Sequence, residues 1–160
     1  EEVIEYIRST GKPVWCYFYS EGPNEKLQHP ARHYTSKFWW AFDKDLGGVC
    51  WWAMHYYGNP WYRAGSGGYD CAMYYPIKGD VAPGRRWQAW RQGWQDHCLL
   101  TITRKYLQST SNSQNDLNQL DEYVKSVVEC PGNPNIAQKA RQWCKNILLE
   151  LHNTKAEKAQ

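Results

Sequence analysis

His97-Cys98-Leu99-Leu100-Thr101-Ile102-Thr103-Arg104-Lys105-Tyr106 is the stretch on which the reading of the fold turns. It alternates in polarity, with Cys98, Leu100 and Ile102 on one side of a two-residue period and Thr101 and Thr103 on the other, as a half-buried strand does. The residues just before it carry a different signal. Trp87, Trp90 and Trp94 recur at i, i+3 and i+7, a helical period over Arg85 to Gln95, although Gly93 weakens a helix there.

Upstream lie further compact runs of β-branched and aromatic residues. Val14 to Tyr19 ends at Ser20-Glu21-Gly22-Pro23, and Tyr34 to Phe42 ends at Asp43-Lys44-Asp45-Leu46-Gly47-Gly48. Val49 to Tyr57 is closed by Gly58-Asn59-Pro60, and Ala72 to Tyr75 by Pro76. Short runs divided by Gly and Pro turns predict a meandering antiparallel sheet or barrel. Downstream the period changes. Leu117, Leu120, Val124, Val127 and Val128 form a helical stripe ending at Cys130-Pro131-Gly132, and Pro134 opens a second helix lined by Ile136, Ala140, Trp143, Ile147, Leu148 and Leu151. At the other end, Val3, Ile4 and Ile7 share one face of a short helix that Gly11 and Pro13 stop. The expected fold class is therefore α+β, one domain over 1–160, β-rich over 13–107 and helical over 115–152. An N-terminal helix precedes an antiparallel β-barrel or meander, and a C-terminal helical hairpin follows.

A chain of 160 residues can bury a substantial core. No apolar run of about 18 residues occurs, so no membrane span is expected, and the charged start Glu1 to Arg8 implies that an export signal has been removed. Six cysteines, Cys16, Cys50, Cys71, Cys98, Cys130 and Cys144, are spread along the chain without zinc-like spacing. They predict three disulfides in a secreted protein, with the pairing left open. The net charge of +3 is scattered apart from Arg85-Arg86, too weak a footprint for nucleic acid. No cofactor or metal is expected.

The chain holds 10 Trp and 12 Tyr but only 3 Phe, a bias toward aromatic side chains with a polar tip, which suit binding surfaces. Phe38-Trp39-Trp40, Trp51-Trp52 and Tyr56-Tyr57 place aromatics side by side, so in strands one of each pair faces inward. An aromatic cavity with a carboxylate suits a cationic amine. Asp43, Asp45 and Asp70 are the nearby acids, the first two also fitting an ordinary turn. The expected ligand-binding set is Trp39, Trp52, Tyr57 and Asp70.

The N-terminal helix running into Val14-Trp15-Cys16-Tyr17-Phe18-Tyr19, the spread of cysteines, and Cys130 and Cys144 in helical context resemble the salivary lipocalins of ticks, the family that includes the histamine-binding proteins. The lipocalin Gly-x-Trp signature is absent from the first strand. The resemblance implies a secreted barrel that sequesters a small mediator, an amine or a lipid, without chemistry. Two other readings compete. In one, Trp87, Trp90 and Trp94 with Arg85, Arg86 and Arg91 form the contact face of a secreted inhibitor that binds a host protein. In the other, Gly47-Gly48-Val49-Cys50-Trp51 places a thiolate at a helix N-terminus and His97 acts as its base, as in a papain-like cysteine protease.

Overall fold

The computed structural model describes residues 2–18, 34–51, 73–111 and 113–157, with side chains as far as 150. Its elements run α1 (Glu2–Ser9), β1 (Trp15–Phe18), α2 (Ser36–Asp43), β2 (Gly48–Trp51), β3 (Tyr74–Ile77), β4 (Asp80–Pro83), α3 (Arg85–Ser109), α4 (Gln114–Glu129) and α5 (Pro134–Glu157). The described strands form two separate two-stranded sheets, and helices take 68% of the described residues. The expected lipocalin-like barrel or antiparallel meander is overturned; within 13–107 the described residues hold helices α2 and most of α3 beside the four short strands.

The decisive difference is α3, a single 25-residue helix that absorbs both the Trp stripe and the alternating stretch after it. Its buried positions are Arg86, Gly93, Asp96, Leu100, Thr103 and Leu107, a 3-and-4 spacing that makes one continuous helical seam. Four of those six are Arg, Gly, Asp and Thr, so a search for apolar periodicity passes over the seam. Ile102, expected inward beside Leu100, is 55% exposed. The β-branched Thr101 and Thr103 are accommodated by donating their hydroxyls back to the carbonyls of His97 and Leu99, at 2.8 and 2.9 Å.

Helices α2 to α5 share one core. Trp39 and Phe42 of α2 meet Leu100 and Leu107 of α3, Leu120, Val124 and Val127 of α4, and Ala137, Ala140 and Cys144 of α5. The expected stripe of α4, and Ile136, Ala140, Trp143 and Ile147 of the one expected in α5, supply this core, and Tyr123 packs on Trp143 with ring centres 5.6 Å apart. The aromatic run at Tyr34 to Phe42 is helical rather than extended because α2 is buried on two sides. Its other face, Ala41 and Trp40, packs on Val14, Leu46, Ile4, Ile7 and Val49. The continuous apolar run Phe38 to Phe42 is what a helix enclosed on two faces requires.

Strands β1 and β2 pair in parallel, Trp15 opposite Gly48 and Phe18 opposite Trp51, because α2 lies between them in the chain. Strands β3 and β4 make an antiparallel hairpin turned at Gly79, whose φ is 75°. Gly93 is where α2 crosses α3. A Cβ there would stand 2.5 Å from the Phe38 ring and 2.9 Å from the Thr35 carbonyl oxygen, so the missing side chain sets the approach of the two helices. Thr35 adds a hydroxyl bond to the Ala89 carbonyl, 3.0 Å.

One buried ionic group ties the bundle together. Asp96, 1% exposed, accepts from Trp39 Nε1 (2.8 Å), Gln92 Nε2 (2.9 Å), and Arg141 Nε (2.6 Å) and Nη2 (2.9 Å). Its carboxylate thus joins α2, α3 and α5, with bidentate geometry toward the guanidinium.

Candidate functional site

The site is built around the turn that ends α2. Asp45 takes φ 47°, and the amides of Asp45 and Leu46 donate to the carbonyls of Phe42 (3.1 Å) and Ala41 (2.9 Å). This is a Schellman termination, with Asp in the left-handed position that Gly usually fills and Leu46 packed on Ala41. The turn expected at Asp43–Gly48 is present, and its strained residue is Asp45 rather than Gly47 or Gly48. Arg8 of α1 reaches across and donates from Nη2 to the carbonyls of Lys44 and Asp45, anchoring the turn from outside.

Against this turn lies one face of α3, and between them run two clefts that meet at Leu46 and His97. The first, about 270 Å³, is lined by Trp15, Phe38, Leu46, Val49, Trp94 and His97. Its walls come from different elements: Trp15 from β1, Trp94 from α3. Trp15 lies across Gly48, where a Cβ would come within 2.6 Å of the indole, so that glycine lets the ring lie flat. Both indoles stay largely in water, 61% and 59% exposed. The second cleft, about 500 Å³, is lined by Phe42, Asp45, His97, Thr101, Arg104 and Lys105. Arg104 pairs with Asp121 at 2.7 Å and sits over the Phe42 ring at 3.9 Å.

Trp94, His97, Thr101 and Lys105 fall at i, i+3, i+7 and i+11, so the groove follows a single stripe of α3 from an aromatic end to a cationic end. His97 stands between them, edge-on to Phe42 with centres 5.8 Å apart. Burial pulls its pKa below the ordinary 6.5, partly offset by the Asp45 carboxylate, so the ring is neutral near pH 7.

Of the expected ligand-binding set, Trp39 is in the core, 0% exposed and bonded to Asp96, so it is an anchor of the fold rather than a pocket wall. Trp52, Tyr57 and Asp70 lie outside the described residues. The Trp stripe divides. Trp87 packs on Tyr74 (4.7 Å) and Trp90 on Phe38 (4.6 Å), and only Trp94 faces out. Asp43 pairs with Lys44 at 3.0 Å.

Cys50 lies in strand β2, away from any helix N-terminus, which removes the helix dipole that would favour its thiolate, and His97 packs on Phe42 from mid-helix. The helix-N-terminal placement of Cys50 expected in the papain-like reading is therefore not found. Cys16, Cys50, Cys98, Cys130 and Cys144 are free thiols in this structure, and Cys71 lies outside the described residues. Cys144 is buried in the core and hydrogen-bonded with Thr103; burial pushes its thiol up to about 11.

Sequence reasoning named Trp94 and His97 but left them in separate elements, and it missed Trp15, Arg104 and Lys105 as partners. A helical reading of 85–109 would have aligned three of these five, Trp94, His97 and Lys105, on one stripe. Among the described residues no cluster of His, Cys, Asp and Glu could hold a metal ion, and no helix is long and apolar enough to cross a membrane. No protein-family model, curated protein or solved structure matches the chain.

Proposed function

We propose that this chain is a binding protein that takes up a small molecule with an apolar body in the cleft between Trp15 and Trp94, without making or breaking bonds. The carrying observation is the pair of large indoles, from different elements and both more than half exposed, at the mouth of a cleft floored by Phe38, Leu46 and Val49. Exposed aromatics of this size bordering an apolar concavity are the usual mark of a ligand site. The carrier role expected from the sequence thus moves from a barrel lumen to a groove on a helix. An amine or a lipid mediator sequestered outside the cell is the context we propose for it.

Calorimetric titration with histamine, serotonin and a fatty-acid series tests the reading. A saturable response that Trp94→Ala weakens at least tenfold supports it, and flat heats across the whole panel refute it.

A second reading has its own observation. Trp15 and Tyr17 project from the same side of β1, 61% and 57% exposed, and with Trp94 they offer aromatic anchors to a partner protein. That reading predicts a flat small-molecule panel together with a protein complex that Trp15→Ala and Tyr17→Ala both disrupt.

A further inference from the structure

The groove does not end at the aromatic cleft. Beyond His97 it continues along the same stripe of α3 to Lys105, with Arg104 lining the cleft beside it. From Trp94 to Lys105 the helix rises about 16 Å at 1.5 Å per residue. That is close to half of the roughly 30 Å hydrocarbon core of a bilayer, the reach of one acyl chain.

The two ends differ in charge as well as in polarity. Trp15, Phe38 and Trp94 line the first cleft without an acid or a base beside them, and His97 at the junction is neutral near pH 7. At the far end the Arg104 guanidinium pairs with Asp121, whereas Lys105 is exposed and makes no salt bridge among the described residues. Asp45 is the one carboxylate lining the groove among the described residues, and its charge acts on His97.

We infer that the ligand is a free amphipathic carboxylate, a single-chain molecule whose apolar body lies between Trp15 and Trp94 and whose anionic head is held by Lys105 beside Arg104. The inference rests on the groove being a ligand site and adds the chemistry of its occupant. A cationic amine would place its charge against these two bases, which disfavours it at that end. A carboxylate gains a charge-assisted bond from the Lys105 ammonium, which no carboxylate holds in a salt bridge among the described residues, while Asp45, the acid of the groove, acts on His97. The head then fixes the orientation and the aromatic end takes the chain.

Dodecanoate, dodecanol and dodecylamine, titrated below their aggregation thresholds into the full chain and into Lys105→Glu and Lys105→Gln, test this. The expected result is dodecanoate binding at least tenfold tighter than dodecanol, with Lys105→Glu erasing that advantage and Lys105→Gln reducing it. Equal affinity for acid and alcohol, tightest binding of the amine, or indifference of dodecanoate to Lys105→Glu overturns the anionic head while leaving the aromatic site standing. No binding of any of the three overturns both. Phosphatidylglycerol vesicles provide the remaining arm: co-sedimentation with vesicles without binding of free dodecanoate overturns the inference in favour of a membrane surface.

Discussion

Replacing Asp96 by Ala removes the acceptor for four donors on three helices. The cost can be worked from what is left behind. Trp39 Nε1 keeps a buried donor with no acceptor, which alone costs about 1–3 kcal/mol. Breaking a buried ion pair from one side costs about 3–5 kcal/mol because the surviving charge is uncompensated. The Arg141 side chain is 23% exposed and can recover part of its hydration, so the loss falls at the lower end, about 3–4 kcal/mol. Against a total stability of roughly 5–15 kcal/mol this is large, and it corresponds to a Tm lower by roughly 10 °C. Urea unfolding followed by circular dichroism at constant pH measures it. Asp96→Asn is expected to recover little, because an amide turns a donor toward groups that all donate. Asp96→Ala combined with Arg141→Met is expected to be less destabilised than the sum of the single changes. A loss below about 1 kcal/mol in Asp96→Ala would refute the claim that this carboxylate ties α2, α3 and α5 together.

Three other outcomes follow from the packing. Gly93→Ala, which raises helix propensity by about 1 kcal/mol, is nevertheless expected to destabilise by roughly 1–3 kcal/mol, because the new methyl meets backbone atoms of Thr35 that cannot swing away; an increase in the unfolding midpoint contradicts the close crossing. Asp45→Gly is expected to stabilise by about 0.5–1 kcal/mol by relieving the left-handed backbone, whereas Asp45→Ala destabilises; equal midpoints for the two variants would remove the strain argument. Cys144 is a neutral buried thiol with its pKa raised from 9.0 to about 11, so its contribution is complete below pH 9 and is lost as pH rises through about 11. Wild type is therefore expected to lose up to roughly 2–3 kcal/mol more than Cys144→Ala across that interval. Parallel pH profiles for the two proteins would show that the site is not dry.

The parts of the fold legible in the sequence are those where apolar residues mark the buried face. Leu120, Val124 and Val127 announce α4, Pro134 and Ala140 announce α5, and Gly11 ends α1 with φ 73°. The strand at Trp15–Phe18 shows in its aromatic run. The seam of α3 is hidden because only Leu100 and Leu107 mark it with apolar side chains, the rest being the buried Arg86, a glycine crossing, the Asp96 ion pair and Thr103. The residues that do look alternating, Leu100 to Thr103, are split between the core and solvent by a helical period. Helix α2 is hidden for the opposite reason: with two packed faces, Phe38 to Phe42 is apolar without a break and shows no period, and the adjacent Phe38-Trp39-Trp40 then reads as strand. The site inherits both difficulties. Trp94 and His97 were visible as singular residues, but their alignment with Lys105 exists only once 85–109 is one helix, and Trp15 joins them only through the parallel pairing with Gly48.

The most direct test is a two-dimensional ¹⁵N spectrum of the protein recorded with increasing dodecanoate, read at the indole N–H signals and along α3. The groove on α3 predicts saturable shifts at the Trp15 and Trp94 indoles and at the amides of His97 and Lys105, with the Trp39 indole, bonded to Asp96, left in place. Shifts centred on Trp39, or a spectrum that does not respond, would contradict it.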